Sequence, residues 1–172
     1  MKRVLLIISV VMIALVGCKQ EGFVPTRCSI EEGRRGQCTY KVFENRSIEI
    51  VPGDSLDDEV FVRVNVGDKR VFEFDFIGNQ DDLIADDEYG ESIWFEVPMD
   101  LESFEYKDEE LKDIQLTFRP SCFCFIEIVS IEQGKVKGKK IGDNRWEIEI
   151  DITFTWSGIT EERVFAAQFE QS

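Results

Sequence analysis

The sequence predicts an all-β protein, built as an antiparallel two-sheet sandwich of about eight to ten strands, with a closed or partly open β-barrel as the alternative architecture. Three observations lead there. From Cys38 onward apolar and polar residues alternate with period two, which is the pattern of strands with one buried face. Helical periodicity is confined to Asp108-Glu109-Glu110-Leu111-Lys112-Asp113, enough for one turn or two. Short turn signals rich in Gly, Asp, Asn and Pro separate the alternating runs.

Taken in chain order, Val60, Val62, Val64 and Val66 make the first such face, and Phe72, Phe74 and Phe76 the second, with Gly67-Asp68 between them. Ile93, Phe95 and Val97 make a third, ended by Pro98; Ile114, Leu116 and Phe118 make a fourth, ended by Pro120. From Cys122 to Ile131 both sides of the chain are apolar, with Phe123, Phe125 and Val129 on one and Cys124, Ile126 and Ile128 on the other. That pattern predicts a central strand covered on both faces. The clearest strand sets Trp146, Ile148, Ile150, Ile152, Phe154 and Trp156 against Glu147, Glu149, Asp151, Thr153 and Thr155.

A slip of one residue turns every side chain to the wrong face, so alternation also predicts register. A three-residue loop, Gly142-Asp143-Asn144, pairs Ile141 with Arg145 and sets Lys139, Lys137 and Lys135 opposite Glu147, Glu149 and Asp151, with Val136 opposite Ile150. The same test around Gly67-Asp68-Lys69 predicts a hairpin with Val64 opposite Phe72, Val62 opposite Phe74 and Arg63 opposite Glu73. Exposed cross-strand ion pairs are worth only ~0.2 to 1 kcal/mol each, so they specify register more than they stabilise.

The amino terminus carries a different signal. Lys2 and Arg3 precede a run from Val4 to Val16 in which only Ser9 is polar, as in a secretory signal. As a helix, Val4 to Gly17 would measure about 21 Å against a bilayer core of roughly 30 Å, too short to span. The segment Leu15-Val16-Gly17-Cys18 resembles the lipobox of bacterial lipoproteins, a resemblance covering residues 1–18 only. It implies that residues 1–17 are removed, that Cys18 takes a diacylglyceryl group on its sulfur, and that its new amino group is usually acylated too. Palmitate-type chains at ~0.8 kcal/mol per buried CH₂ make such an anchor permanent in effect. Lys19, in place of an Asp, resembles the pattern that passes lipoproteins to the outer membrane where a cell has two. The implied organisation is a signal peptide 1–17, a lipidated cysteine and tether 18–27, and a single domain 28–172 in the cell envelope. In architecture the chain resembles small all-β envelope lipoproteins, a likeness that carries no ligand with it.

Removal of residues 1–17 leaves 155 residues, enough for one domain with a real core. The formal charge of −15 loses Lys2 and Arg3 and becomes −17, a field that repels phosphates and argues against nucleic acid as a partner. Beyond Cys18 the chain has Cys28, Cys38, Cys122 and Cys124, an even number suited to two disulfides in an oxidising compartment. Cys122 and Cys124 would point to one face of one strand, so the favoured pairing joins each to Cys28 or Cys38. A four-thiolate zinc site or a Cys-x-Cys redox pair are the functional alternatives.

The chain has no histidine, which excludes serine–histidine and cysteine–histidine catalysis. A glycoside hydrolase needs only two carboxylates, but among 35 acidic residues no pair stands out. The densest acidic cluster, Asp81, Asp82, Asp86, Asp87 and Glu88, offers hard oxygen ligands for Ca²⁺ without the EF-hand spacing. Trp94 falls on the face opposite Ile93, Phe95 and Val97, and with Tyr89 and Phe61 it makes a candidate ligand patch, against the plainer reading that a loop covers it. The lysines from Lys135 to Lys140 are assigned to cross-strand acids and not to an anion site. The expectation is therefore a non-catalytic binding or structural module for an envelope protein or glycan, with no cofactor required. A carboxylate-dependent hydrolase and a calcium-dependent adhesion module are its rivals.

Overall fold

Alternating β-branched and aromatic residues form ten strands in the computed structural model, which describes residues 26–31, 34–51, 61–79, 89–122 and 128–172. They are β1 (Thr26–Glu31), β2 (Arg34–Val51), β3 (Phe61–Gly78), β4 (Tyr89–Pro98), β5 (Ser103–Lys107), β6 (Thr117–Cys122), β7 (Val129–Ser130), β8 (Gln133–Gly142), β9 (Arg145–Trp156) and β10 (Ile159–Gln171). A 3-10 helix, Asp108–Ile114, follows β5, as the acidic stretch there suggests. Its entry is closed by the Lys107 N–H donating to Glu110 Oε2 at 3.1 Å, and it buries Leu111 and Ile114.

All ten strands belong to one hydrogen-bonded sheet, in the order β5-β8-β9-β10-β2-β3-β4-β6-β7, with β1 on β2. The expectation of two separate antiparallel sheets is thus corrected. The sheet is also mixed, because β10 runs parallel to β2 through Glu170↔Lys41 and Gln171↔Val42. It curls into a half-barrel, and the curl lets one sheet do the work of two. Phe72 of β3 meets Trp146 of β9 and Phe169 of β10 with ring centroids 5.5 and 5.8 Å apart, and Phe118 of β6 meets Phe154 of β9 at 4.3 Å. Opposite arms of the sheet thereby bury each other's apolar faces, which removes the need for a second layer. Phe104 of β5 fits against Trp146 because Gly138 stands opposite it: a Cβ there would come 2.2 Å from the ring.

The β8–β9 register matches the expectation at Lys135↔Asp151, Val136↔Ile150, Lys137↔Glu149 and Lys139↔Glu147. The turn is tighter than expected, closing at Gly142↔Arg145 with the odd residue absorbed as a bulge between Lys140 and Gly142. Lys137 Nζ lies 3.0 Å from Glu149 Oε1.

The hairpin expected around Gly67-Asp68-Lys69 does not form, since residues 61–78 are one strand with an irregularity at Gly67-Asp68. Val64, Val62 and Arg63 pair instead with Ile48, Ile50 and Glu49 of β2. The residues that look like a turn are a bulge facing Arg46, and β2 answers it with Asn45 in the left-handed region at φ 55°. Ile114-Leu116-Phe118 is not one strand either. Ile114 ends the helix, Gln115 turns the chain at φ 49°, and β6 begins at Thr117, although all three apolar residues are buried as the alternation requires. The central strand expected over Cys122 to Ile131 is not continuous: β6 ends at Cys122 and the two residues of β7 lie at the edge of the sheet order. Phe123 to Glu127 lie outside the described residues.

Cys28 and Cys38 are disulfide-bonded to each other, with Cα atoms 5.9 Å apart, which overturns the expected pairing of each with Cys122 or Cys124. The β1–β2 register explains the choice. Cys28 stands opposite Gly36, so Cys38 is its diagonal neighbour two residues along, and the local hairpin joins them without any long-range contact. Cys122 is also disulfide-bonded, to neither of these two, and Cys124 lies outside the described residues. Three of the four thiols are thereby removed from any four-thiolate zinc site. Cys28→Ser with Cys38→Ser closes no loop in the unfolded chain and is expected to lower stability by about 3 kcal/mol in urea unfolding. Strand β1 begins at Thr26, two residues inside the segment expected to be tether.

Candidate functional site

Along β3, Phe72, Phe74 and Phe76 face the core, so Glu73, Asp75 and Ile77 face outward. Register carries that outer face across four strands: Thr39, Asp75, Ser92 and Arg119 stand in one row, and Ile77, Gly90 and Ser121 in the next. Because Gly90, Ser92 and Ser121 are small, these rows sink into a cleft of about 490 Å³, walled by Lys41, Ile77 and Arg119. Its lining combines hydroxyl and charged groups with about as much apolar surface, to which Phe76, Tyr89 and exposed Ile77 contribute.

Lys41 organises the charged end. Its Nζ donates to Glu73 Oε2 and to Asp75 Oδ2, both at 3.1 Å, and Ser92 Oγ donates to Asp75 Oδ1 at 2.7 Å. One cation between two anions is overcompensated while each anion is undercompensated. Burial works against the Lys41 ammonium, yet the two carboxylates outweigh it and raise its pKa. Burial and the neighbouring Asp75 charge push the Glu73 carboxyl up, against the opposing pull of Lys41. A carboxyl with a raised folded pKa holds its proton more tightly when folded, so its contribution to stability falls as pH rises through the ordinary value of 4.5 and levels off above the folded one. Urea unfolding at about pH 4 and about pH 7 is therefore expected to show Glu73→Gln losing less stability with rising pH than the wild type.

Next to the cleft a second, smaller core occupies the outer face. The far ends of β2 and β3 fold back at Asn45 and Gly67-Asp68, so that Ile48, Val62 and Val64 pack with Phe43 on Val71 and Trp94. Glu96, only 2 % exposed, fastens this tip. Its carboxylate accepts from the Ile48 N–H at 2.9 Å, from Lys69 Nζ at 2.6 Å and from Gln115 Nε2 at 2.8 Å.

Inside the half-barrel lies a buried ion pair. Arg163 of β10 is forked onto Glu91 of β4, Nε to Oε1 at 2.8 Å and Nη2 to Oε2 at 2.7 Å, with Glu161 taking a further bond from Nη2 at 2.5 Å. Tyr89 Oη donates to Glu91 Oε2 at 3.1 Å, and the Arg34 guanidinium lies 4.1 Å from the Tyr89 ring centroid. Burial, then the Glu91 charge, raises the Tyr89 phenol well above its ordinary value. The Arg163 pKa is raised as well, because Glu91 and Glu161 outweigh the cost of burial.

The candidate patch of Trp94, Tyr89 and Phe61 does not come together, and Trp94 is covered, as the plainer reading has it, though by a hairpin and not a loop. Trp94 is 7 % exposed beneath the folded tip, Tyr89 faces the interior beside Glu91, and Phe61 is 40 % exposed on the tip itself under Arg63. An odd and an even position on one strand point to opposite faces, so Tyr89 and Trp94 cannot share a surface. The acidic run Asp81, Asp82, Asp86, Asp87 and Glu88 lies outside the described residues, as does Cys18, and no group of three or more potential metal ligands occurs among the described ones. Among them, too, no helix is long and apolar enough to cross a membrane.

Sequence reasoning passed over the buried charges, although a signal was present. Glu91 is in phase with Ile93, Phe95 and Val97, Arg163 with Phe165 and Phe169, and Arg70 with the phenylalanines of β3. A charge on an apolar stripe asks for a buried partner. The row of Thr39, Asp75, Ser92 and Arg119 had no such marker, since it exists only through the order of four strands. No protein-family model, no curated protein and no solved structure matches this chain.

Proposed function

We propose that this chain is a membrane-anchored envelope lipoprotein acting as a non-catalytic binding module, and that its ligand, a polar envelope component, lies in the outer-face cleft. The observation that carries the ligand site is the cleft itself, a recess lined by hydroxyls, Asp75, Lys41 and Arg119 on a rigid four-stranded floor. The anchor rests on Leu15-Val16-Gly17-Cys18 with the charged and apolar leader before it. Only residues 19–25 separate Cys18 from β1, a reach of at most about 25 Å at ~3.3 Å per residue, so the module would work close to the bilayer surface. Lys19 favours the outer membrane where there are two. The charge of the processed chain argues against nucleic acid as the partner.

The arrangement of acids favours binding over hydrolysis. A glycosidase needs one carboxylic acid free to protonate a leaving oxygen and a second free to attack or to activate water. Here both Glu73 and Asp75 are engaged by Lys41, and Asp75 by Ser92 also.

Two measurements on intact cells test the reading. Wild-type protein is expected to incorporate labelled palmitate and Cys18→Ala to remain an unlabelled precursor; label in the variant would overturn the anchor. A photoreactive side chain at exposed Ile77 is expected to give one discrete adduct, lost when Ser121→Trp fills the cleft floor. Absence of any adduct, or an adduct indifferent to Ser121→Trp, would overturn the ligand site.

A further inference from the structure

Strand β10 has a full partner on one edge and almost none on the other. Its pairing with β9 runs without a bulge from Ile159↔Trp156 to Glu170↔Arg145, whereas its pairing with β2 is confined to Glu170↔Lys41 and Gln171↔Val42. Extending that parallel register toward the start of β10 would set Ala167 opposite Cys38 and Arg163 opposite Arg34, but β1 already holds residues 34–38 of β2. The Cys28–Cys38 disulfide fastens β1 there, so β10 cannot zip onto β2 in its place. Along Ile159 to Gln168 the described residues give β10 no second flanking strand, and its main-chain groups on that side have no ladder to join.

Sheets ordinarily guard their edges with short strands, charges or bulges. The terminal strands here do so: β5 has five residues with Glu105 and Lys107 exposed, and β7 has two residues. The open edge of β10 is long and regular, and its outer face carries Val164, Ala166 and Gln168 in succession without a charge, Val164 being 64 % exposed. On the inner face the core is left uncovered along the same seam. Phe165 and Ala167 of β10, Tyr40 of β2, and Cys28 and Ile30 of β1 pack against the main core yet are only half-buried, while Arg163 and Phe169 to either side are closed over. Exposed Glu162 and Glu170 flank the uncharged stretch, and neither is held in an ion pair among the described residues.

We infer that the open edge of β10 receives an extended segment of a partner protein by strand addition, and that this segment alternates apolar with basic residues. Main-chain bonds to the β10 edge supply affinity. Alternate side chains of the added strand turn inward over Phe165, Ala167 and Tyr40, which requires them to be apolar, and the intervening ones turn outward toward Glu162 and Glu170, which favours lysine or arginine there. A second copy of this chain is the poorer occupant, because each copy carries a formal charge of −15 and the two repel. The inference depends neither on the cleft nor on the lipid anchor.

The probe is a synthetic peptide alternating valine and lysine and N-methylated at every second residue, which leaves one edge able to form main-chain bonds and stops the peptide pairing with itself. In calorimetric titration of the folded chain with its disulfides intact, it is expected to bind, and hydrogen exchange is expected to slow within Ile159 to Gln168. The same peptide methylated at every residue, and a version with glutamate in place of lysine, are each expected to bind at least about tenfold more weakly, a difference of about 1.4 kcal/mol. Glu162→Lys with Glu170→Lys, both at exposed positions, should reverse the choice between the lysine and glutamate peptides. No binding, equal binding of the fully methylated peptide, or protection at β5 or β7 and not at β10 would each overturn the strand addition. A glutamate peptide that binds the wild type as well as the lysine one would overturn the basic partner. Protection of β10 that rises with protein concentration in the absence of peptide would show a second copy on the edge and overturn the inference. Should the double variant fail to fold, the peptide comparisons on the wild type decide.

Discussion

Glu91→Ala is expected to cost about 3 to 5 kcal/mol of folding free energy, measured by urea unfolding, because it leaves the Arg163 guanidinium buried without its main partner. Arg163 is 2 % exposed and Glu91 1 %, and their two short bonds span β10 and β4 across the interior of the curl. Glu161, 16 % exposed, retains one bond to Nη2 and cannot replace the fork. Replacing both partners, as Glu91→Leu with Arg163→Leu, is expected to recover most of the loss or exceed the wild type, since the desolvation cost of two ions disappears with them. A double variant no more stable than Glu91→Ala would show instead that the pair is net stabilising. The pair also ties β10 to β4 across the interior, where β10 meets β2 through the Glu170 and Gln171 pairings and the Ser172 N–H donates to the Val42 carbonyl at 3.0 Å.

Trp146→Ala carries the second large effect, about 3 to 5 kcal/mol from the cavity alone. The indole is 1 % exposed and packs on Phe72 and Phe104, rings from both arms of the sheet. It also carries a buried cation: the Arg70 guanidinium carbon lies 4.4 Å from its ring centroid, while Arg70 donates to the Leu101 and Met99 carbonyls at 3.0 and 3.2 Å. Removing the ring therefore strips van der Waals contacts from the centre of the core and a π face from a desolvated charge. Trp146→Phe, which keeps an aromatic face, should lose substantially less; equal losses for the two variants would show that Arg70 gains nothing from the ring.

Much of the fold is legible in the residues. The five apolar positions from Trp146 to Phe154 are buried, as are Ile93, Phe95 and Val97, and the lysines of β8 meet the acids of β9 in the expected register. These succeed because alternation and opposite charge are local, and a hairpin brings their partners together with little loop to close. The failures share a different cause. Gly67-Asp68 has the composition of a turn, and only the pairing of residues 61–66 with residues 46–51 makes it a bulge. Cys38 had three possible partners, and the short β1–β2 hairpin decided among them. Trp94 was correctly placed on the outer face of β4, but its burial depends on a hairpin tip that folds back from residues more than forty positions earlier in the chain at Ile48.

The sequence by itself determined the all-β character, which way side chains alternate along the clearest strands and how β8 is registered on β9, because period, propensity and charge pairing act between near neighbours. Only the tertiary structure decided that ten strands close into one mixed, curled sheet, that opposite charges on distant apolar stripes meet inside it, and that two outer rows across four strands sink into a cleft. Those outcomes depend on the order in which strands associate, and no single strand's pattern contains that order.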